Sequence, residues 1–386
     1  MAAFRMPSEQ HHELELSIGK VNVYMQGNLA SRSCVFLTVH DLGCNHYQYE
    51  EFVARPKMRP IVERAVWLSV DLPGQGDGDE ELPASYTFPT LWSIAESLKS
   101  VLDHFNIDHV VLFGEGAGAN ILARFAMLHD EMVMGAVLIH CTGQTASFAD
   151  SLRDKLVNWK LKTIGMNPAT ESFLILHRFG YLKDTGTELE LKQAIEHFRG
   201  NLQHSINPKN LNRYITAYMQ RKPLSERLSD LKCSVLLITG ALAPQRKGCE
   251  KLYEAIMKGH SAKSCAIREL VVVENVANVL AERPDKVIES MQYFLQGIGL
   301  VSHIKMQTTP LNLNRRMSME DYDKPMGRIQ LVGGFRPNLS APNDAADEKT
   351  SKAKPKRKQR RLRLRSGGLM LDVLRCHVKS RPHATT

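Results

Sequence analysis

Residues 110–119, Val-Val-Leu-Phe-Gly-Glu-Gly-Ala-Gly-Ala, run four apolar side chains into a glycine-rich turn, and a helical pattern follows at once. Two chemistries are built on a strand, a sharp glycine turn and a helix. In G-x-S-x-G the central residue is a nucleophilic serine held on a strained elbow. Here that place holds Gly116, which has no side chain to attack anything. In G-x-G-x-x-[G/A] the glycines let a pyrophosphate approach the helix N-terminus. Gly114, Gly116 and Ala119 satisfy that spacing. The dinucleotide chemistry also needs an acid at the end of the next strand to hold the ribose, but the next apolar run ends in His140-Cys141. The motif moreover falls in the fifth strand-like run, whereas the fingerprint opens its domain.

Acyl-transfer chemistry can be tested at two further positions, because an elbow serine is followed in the chain by an acid and then a histidine. The acid follows a strand in the pattern G-x-x-D; in Thr-Gly-Ala-Leu-Ala-Pro-Gln, Gly240 leads to Ala243. The histidine precedes a helix start E-x-P by five residues; Glu282 and Pro284 put Ala277 there. Gly116, Ala243 and Ala277 can neither transfer a proton nor attack a carbonyl. Loss of one triad member alone leaves only about 10³–10⁴-fold acceleration over water, so the pattern predicts no serine-hydrolase activity. Ser69, Ser93, Ser97, His40 and His140 are other candidate groups, and none sits on a glycine-flanked turn. His40-Asp41 lies where such enzymes carry a His-Gly loop next to the oxyanion. Two readings stand: the pair lines a remnant pocket, or a hydrogen bond between them braces the loop. His11, His12, His40, His46 and His140 lack metal-ligand spacing, and no cofactor or metal is expected.

Which elements would place these residues? Alternating runs 13–19 and 21–27 read as an antiparallel hairpin about a Gly19-Lys20 turn. Runs 33–41, 65–71, 110–113, 133–141, 233–240 and 268–275 are near-continuously apolar, as strands buried on both faces are. Between them lie helical patterns; in 90–105, Leu91, Ile94, Ala95, Leu98, Val101, Leu102 and Phe105 share a face. Others fall near 249–258 and 280–299. This alternation predicts an α/β fold with a mostly parallel sheet and helices on both faces. From about 144 to 228 the pattern is helical, an insertion between the sixth and seventh strands where an α/β-hydrolase carries its cap. The expected organisation is a flexible N-terminus (1–12), an α/β-hydrolase-like domain (13–300) and a disordered basic tail (301–386).

Several stretches together resemble the N-myc downstream-regulated (NDRG) family, a non-catalytic branch of the α/β-hydrolase fold. They are VHDLGCNHYQYEEF, DLPGQGDGDEELPASYTFPTLWSIAESLKSVLDHF, GEGAGANILARFA, NLNRYITAYMQRKPL and ESMQYFLQGIG, and the resemblance runs from about residue 14 to 300. The resemblance implies no catalysis. It implies adaptor or regulatory roles in signalling, trafficking, growth, differentiation and stress response, mostly from the cytoplasm. The tail departs from the pattern: it lacks the Ser/Thr-rich repeats some members carry, and its basic block is not part of the family core.

Charge is divided unevenly. Residues 301–386 hold nineteen Lys/Arg against seven Asp/Glu, a net +12; the whole chain carries +9, which leaves residues 1–300 at −3. Nine of the fourteen residues in 352–365 are basic, a run suited to nuclear import or to contact with anionic membrane or nucleic acid. No aromatics interleave it, which argues against base stacking. Arg315 and Arg316 ahead of Ser318 form a basophilic-kinase pattern, and tail phosphorylation is similar to that in the family. Protein partners are expected, their identity unspecified. The seven cysteines are scattered singly, without C-x-x-C pairs, as expected of a reducing compartment. A start without a signal-peptide core, and no apolar run near the roughly 18 residues needed to span a bilayer, predict a cytoplasmic protein with a nuclear or membrane-peripheral pool through the tail.

Overall fold

Central strands are continuous apolar runs because helices cover both faces of the sheet they form. In the computed structural model, which describes residues 9–32, 34–144, 165–180, 189–259 and 265–301, every residue of β3 (Cys34–Val39), β5 (Val110–Glu115) and β7 (Ser234–Gly240) is buried. With β1 (Glu9–Leu16), β2 (Gly19–Gln26), β4 (Ala65–Asp71), β6 (Val133–Ile139) and β8 (Arg268–Val273), these strands form one sheet in the order β1-β2-β4-β3-β5-β6-β7-β8. β2 runs against both its neighbours, and the pairs from β4 to β8 are parallel.

Alternation along the strands feeds two cores. Val111 and Phe113 of β5 join Phe36, Trp67 and Met291 on one face. Val110 and Leu112 join Leu37, Leu98 and Ile121 on the other. The principal helices are α1 (Leu91–His104), α2 (Gly116–Leu128), α3 (Pro168–Phe179), α4 (Leu189–Gly200), α5 (Pro208–Met219), α6 (Arg246–Gly259) and α7 (Pro284–Gly297). The expected face of α1 is buried from Leu91 to Leu102, while Phe105 is its C-cap; Thr90 caps its start by accepting from the Ser93 N–H. α3 and α5 open on Asn-Pro. Asn167 and Asn207 cap backbone N–H groups, and the proline fills the first turn, where no donor is needed.

Three local expectations are revised. β1 begins at Glu9, so residues 9–12 of the expected flexible N-terminus belong to a strand; an edge strand needs few apolar residues, and His11 pairs with Tyr24. The hairpin turns at Ser17-Ile18, and Gly19 already pairs with Leu16. The 280–299 helix is two, Val279–Glu282 and α7, since Pro284 has no N–H to continue the first. The described part of 144–228 is helical, with α3, α4, a π-turn at Asn201–Ser205 and α5. Residues 302–386, including Ser318 and 352–365, lie outside the described residues, as do residues 145–164 and 181–188 of the expected helical insertion. The described cysteines are free thiols, and among the described residues no helix is long and apolar enough to cross a membrane.

α5 ties the cap to the sheet. Tyr214 donates to the His40 carbonyl at 3.1 Å. Arg213 donates to the carbonyls of Leu82, Pro83 and Tyr86, and Asn210 bonds Leu82 and Glu80. α2 carries buried residues all round its axis, because it packs between the sheet on one side and α1 and residues 224–230 on the other.

Candidate functional site

The β5–α2 junction turns through Gly116, whose φ is +57°. That left-handed corner is where a strand–turn–helix elbow presents its nucleophile. Two residues on, Gly118 packs so closely on the end of β3 that a Cβ there would lie 1.9 Å from the Val39 carbonyl oxygen. The sequence therefore keeps the elbow's backbone geometry and its close helix–strand approach.

A carboxylate fills the space where the elbow side chain would stand. A Cβ placed on Gly116 would lie 2.3–2.4 Å from the Asp41 carboxylate atoms. Asp41 Oδ1 accepts the Ala117 N–H at 2.7 Å, and the Leu42 N–H also bonds this carboxylate. In a hydrolase the N–H after the nucleophile and one from the loop after β3 form the oxyanion hole. Here both kinds of donor hold an internal anion, at the positive end of the α2 dipole. The same contact occupies the helix N-terminus that a dinucleotide pyrophosphate would need.

Around Asp41 lies a buried polar cluster contributed by four segments. Glu115, one residue before the elbow, accepts from Gln48 Nε2 at 2.7 Å, Asn278 Nδ2 at 2.7 Å and Arg178 Nη2 at 3.0 Å. Gln48 Oε1 accepts the Asp41 N–H at 2.7 Å. Arg178 belongs to cap helix α3; its guanidinium also meets Cys44 Sγ and lies 5.0 Å from the Phe198 ring centre. Tyr49 accepts the Glu115 N–H and donates to the Val39 carbonyl. Burial and then the charge of Glu115 push the Asp41 carboxyl up to about 6, against the pull of Arg178 and the two backbone N–H groups. Burial opposes the charge on Arg178, but the neighbouring acidic groups, Glu115 and Asp41 among them, outweigh it and its pKa is raised. Burial raises the Cys44 thiol to about 12, so it meets Arg178 as a neutral acceptor.

The other two positions singled out in the sequence, Ala243 and Ala277, follow neighbouring strands of the sheet. Ala277, after β8, and Ala243, after β7, are both buried. The cap covers them at Gly180. A Cβ on Gly180 would lie 3.0 Å from the Ala277 Cβ, and 3.5 Å from the Leu242 carbonyl and Pro244 Cδ. Ala277 and Asn278 donate their N–H groups to Glu282 at 2.8 Å each, the glutamate that marks the helix start. A cavity of about 90 Å³ lies beside the elbow, between Gln48, Arg178 and Asn278. Pockets for small organic ligands begin at roughly 300 Å³.

His40 and Asp41 part company. His40 Nδ1 donates to the Asp41 carbonyl at 2.9 Å, and Nε2 accepts the Leu72 N–H at 3.2 Å, which fixes the neutral Nδ1–H tautomer. Burial lowers the His40 pKa, in keeping with that form. His40 therefore braces the loop through its neighbour's backbone, and only Asp41 enters the elbow. His140 lies under the site, with Nδ1 3.1 Å from Thr239 Oγ1 and Nε2 4.0 Å from Glu115. Sequence reasoning missed Glu115, Arg178, Gln48 and Asn278. The available signal was one acid, Glu115, inside an otherwise apolar and glycine-rich stretch.

The family model described as Ndr family matches residues 11–302. The chain belongs to the Ndr family. This Ndr-family chain is 35% identical over 311 residues to the uncharacterised protein ZK1073.1 of Caenorhabditis elegans, covering 80% of the chain and 90% of that protein. It is 29% identical to protein NDRG3 of Xenopus tropicalis (77% and 75% covered) and 27% to protein NDRG2 of Mus musculus (80% of each). A thermophilic esterase from Thermogutta terrifontis superposes with a TM-score of 0.60 at 16% identity, covering 75% of the chain and 99% of the esterase. The enol-lactonase from Burkholderia xenovorans superposes with 0.58 at 15%, covering 74% and 100%. The Ndr chain thus has the α/β-hydrolase fold that its motifs implied.

The raised Asp41 pKa carries a pH signature. The folded state holds the Asp41 proton more tightly than the unfolded chain, whose carboxyl titrates near 3.8. The protonated form favours folding, so this contribution is full below about pH 4 and is lost as pH rises through about 6. Urea unfolding from pH 4 to 7 will show the wild type losing stability relative to Asp41→Asn, by at most about 3 kcal/mol. Parallel pH profiles of the two proteins would refute this.

Proposed function

We propose that this chain is a non-catalytic adaptor or regulatory protein of NDRG type, in which Gly116, Ala243 and Ala277 stand where the hydrolase triad stood. One observation carries the reading: the Asp41 carboxylate occupies the elbow and takes the N–H groups that an oxyanion would need. A substrate carbonyl entering there would have to displace a buried anion held by a helix N-terminus and by backbone donors. The cap supports the same reading, since Gly180 packs against Ala277 and against the residues on either side of Ala243.

The function that goes with this reading is the binding of other proteins in signalling that governs growth, differentiation and stress response. The working location is the cytoplasm. Residues 352–365 would supply a nuclear or membrane-peripheral pool and Ser318 a phosphorylation site; the identity of the protein partners is a matter for proximity labelling with and without 352–365.

The test of non-catalysis uses the full chain with a fluorophosphonate probe and a panel of p-nitrophenyl esters. No labelling and no turnover above buffer is the expected result. The triple variant Gly116→Ser/Ala243→Asp/Ala277→His is also expected to be inactive, because Asp41 and Gly180 still hold the space. Ester turnover by the wild type that disappears in His40→Ala or Asp41→Asn would overturn the proposal in favour of an enzyme with an unorthodox pocket.

A further inference from the structure

A second cavity, on the flank of the molecule away from the elbow, has a volume of about 520 Å³, within the range of small-molecule pockets. It lies where the first turn of α1 meets α2 and the chain after α5. Its charge is lopsided: Arg124, Arg221, Lys222 and Arg227 face it against one acid, Glu226. Arg227 pairs with Asp230, but among the described residues Arg124, Arg221 and Lys222 have no carboxylate partner. Arg221 instead donates to the carbonyls of Tyr218 and Gln144.

Arg124 is the unusual member. It is fully buried, and its guanidinium donates to Asn120 and to the Lys222 carbonyl, while its Nε has no hydrogen-bond partner. A buried charged group with an unused donor is costly unless something else satisfies it. Burial, and then the charge of Arg221, lower its pKa to about 10, as expected where positive charge is uncompensated. The α1 N-terminus at Thr90-Leu91 adds the positive end of a fourteen-residue helix to the same cavity. The apolar part of the lining is aromatic: Phe88 and Trp92, the latter with Arg124 and Arg227 5.2 and 5.0 Å from its ring centre.

From this juxtaposition we infer that the cavity binds a small organic phosphate, its phosphate held by the cationic cluster and the α1 N-terminus and its body laid along Phe88 and Trp92. A phosphate monoester carries about −1.5 to −2 charge near neutral pH, which suits Arg124, Arg221 and Lys222 together better than a single carboxylate does. The site is separate from the elbow and independent of whether the elbow is catalytic. It would give an adaptor a metabolite input.

Calorimetric titration of the full chain tests it. AMP presents a planar body and n-octyl phosphate a flexible apolar one; inorganic phosphate and adenosine are the controls. At least one ester is expected to bind tenfold or more tightly than both controls, and the better of the two identifies the kind of body. In Lys222→Gln/Arg227→Gln, which alters two exposed side chains, the affinity is expected to fall at least tenfold with an unchanged thermal midpoint. Arg221→Gln should weaken binding in the same direction. Absence of saturable binding by either ester in the millimolar range would overturn the proposal. So would adenosine binding as well as AMP, or affinity that survives in the double variant, which would place the contact on the basic tail.

Discussion

Placing a serine on the elbow, Gly116→Ser, is expected to destabilise the chain by about 2–5 kcal/mol and to bring no activity. Two costs add. A side chain in the left-handed corner costs about 1–2 kcal/mol. The new Cβ would also fall within 2.4 Å of the Asp41 carboxylate, forcing a buried anion off the Ala117 N–H, worth about 1–3 kcal/mol more. The second cost belongs to Asp41 alone, so it can be isolated. In an Asp41→Gly background the same serine should cost only the backbone strain, about 1–2 kcal/mol. Chemical unfolding of the four proteins of this cycle measures the coupling directly. Equal cost of the serine in both backgrounds would mean that Asp41 does not fill the elbow.

Arg178→Met is expected to be the most damaging single change in the cap, costing about 3–5 kcal/mol at pH 7, the scale for removing one partner from a buried pair. Arg178 is the cation that faces both Glu115 and Asp41. Without it two buried carboxylates oppose each other with neutral donors alone, Gln48 and Asn278 to Glu115 and the Ala117 N–H to Asp41. The pH dependence follows by sign. Arg178 pulls the Asp41 pKa down, so without it the folded state would hold the Asp41 proton still more tightly, and the variant should regain stability as pH falls and lose it as pH rises. Glu115→Leu/Arg178→Met should be less destabilised than Arg178→Met alone, because replacing both partners removes the unpaired charge. Limited proteolysis is the second readout: the released α3 should become cleavable in Arg178→Met and be protected again in the double variant. A double variant no more stable than Arg178→Met would show that the arginine acts by packing on Phe198 rather than by charge.

The strands were legible because burial on both faces leaves no choice of residue type: Cys34–Val39, Val110–Phe113 and Ser234–Gly240 read as strands from hydrophobicity alone. The hairpin register and the first residues of β1 were less legible, since a solvent-facing edge strand is free to be polar.

The site divides in the same way. What the sequence determined by itself is the elbow's backbone, a strand–turn–helix with Gly116 at its corner, together with Ala243 and Ala277 at fixed offsets from Gly240 and Glu282, each a spacing local to its own stretch of chain. What only the tertiary structure decided is what fills it. In a loop no two-residue period says which way a side chain faces, so His40 turning to Leu72 and Asp41 turning into the elbow could not be told apart. Glu115 meets Arg178 across sixty-three residues and Asn278 across one hundred and sixty-three, and such contacts leave no local pattern. They exist because the docked cap excludes water from the elbow, and a polar group shut away from water must find its partner in whatever distant segment packing brings beside it.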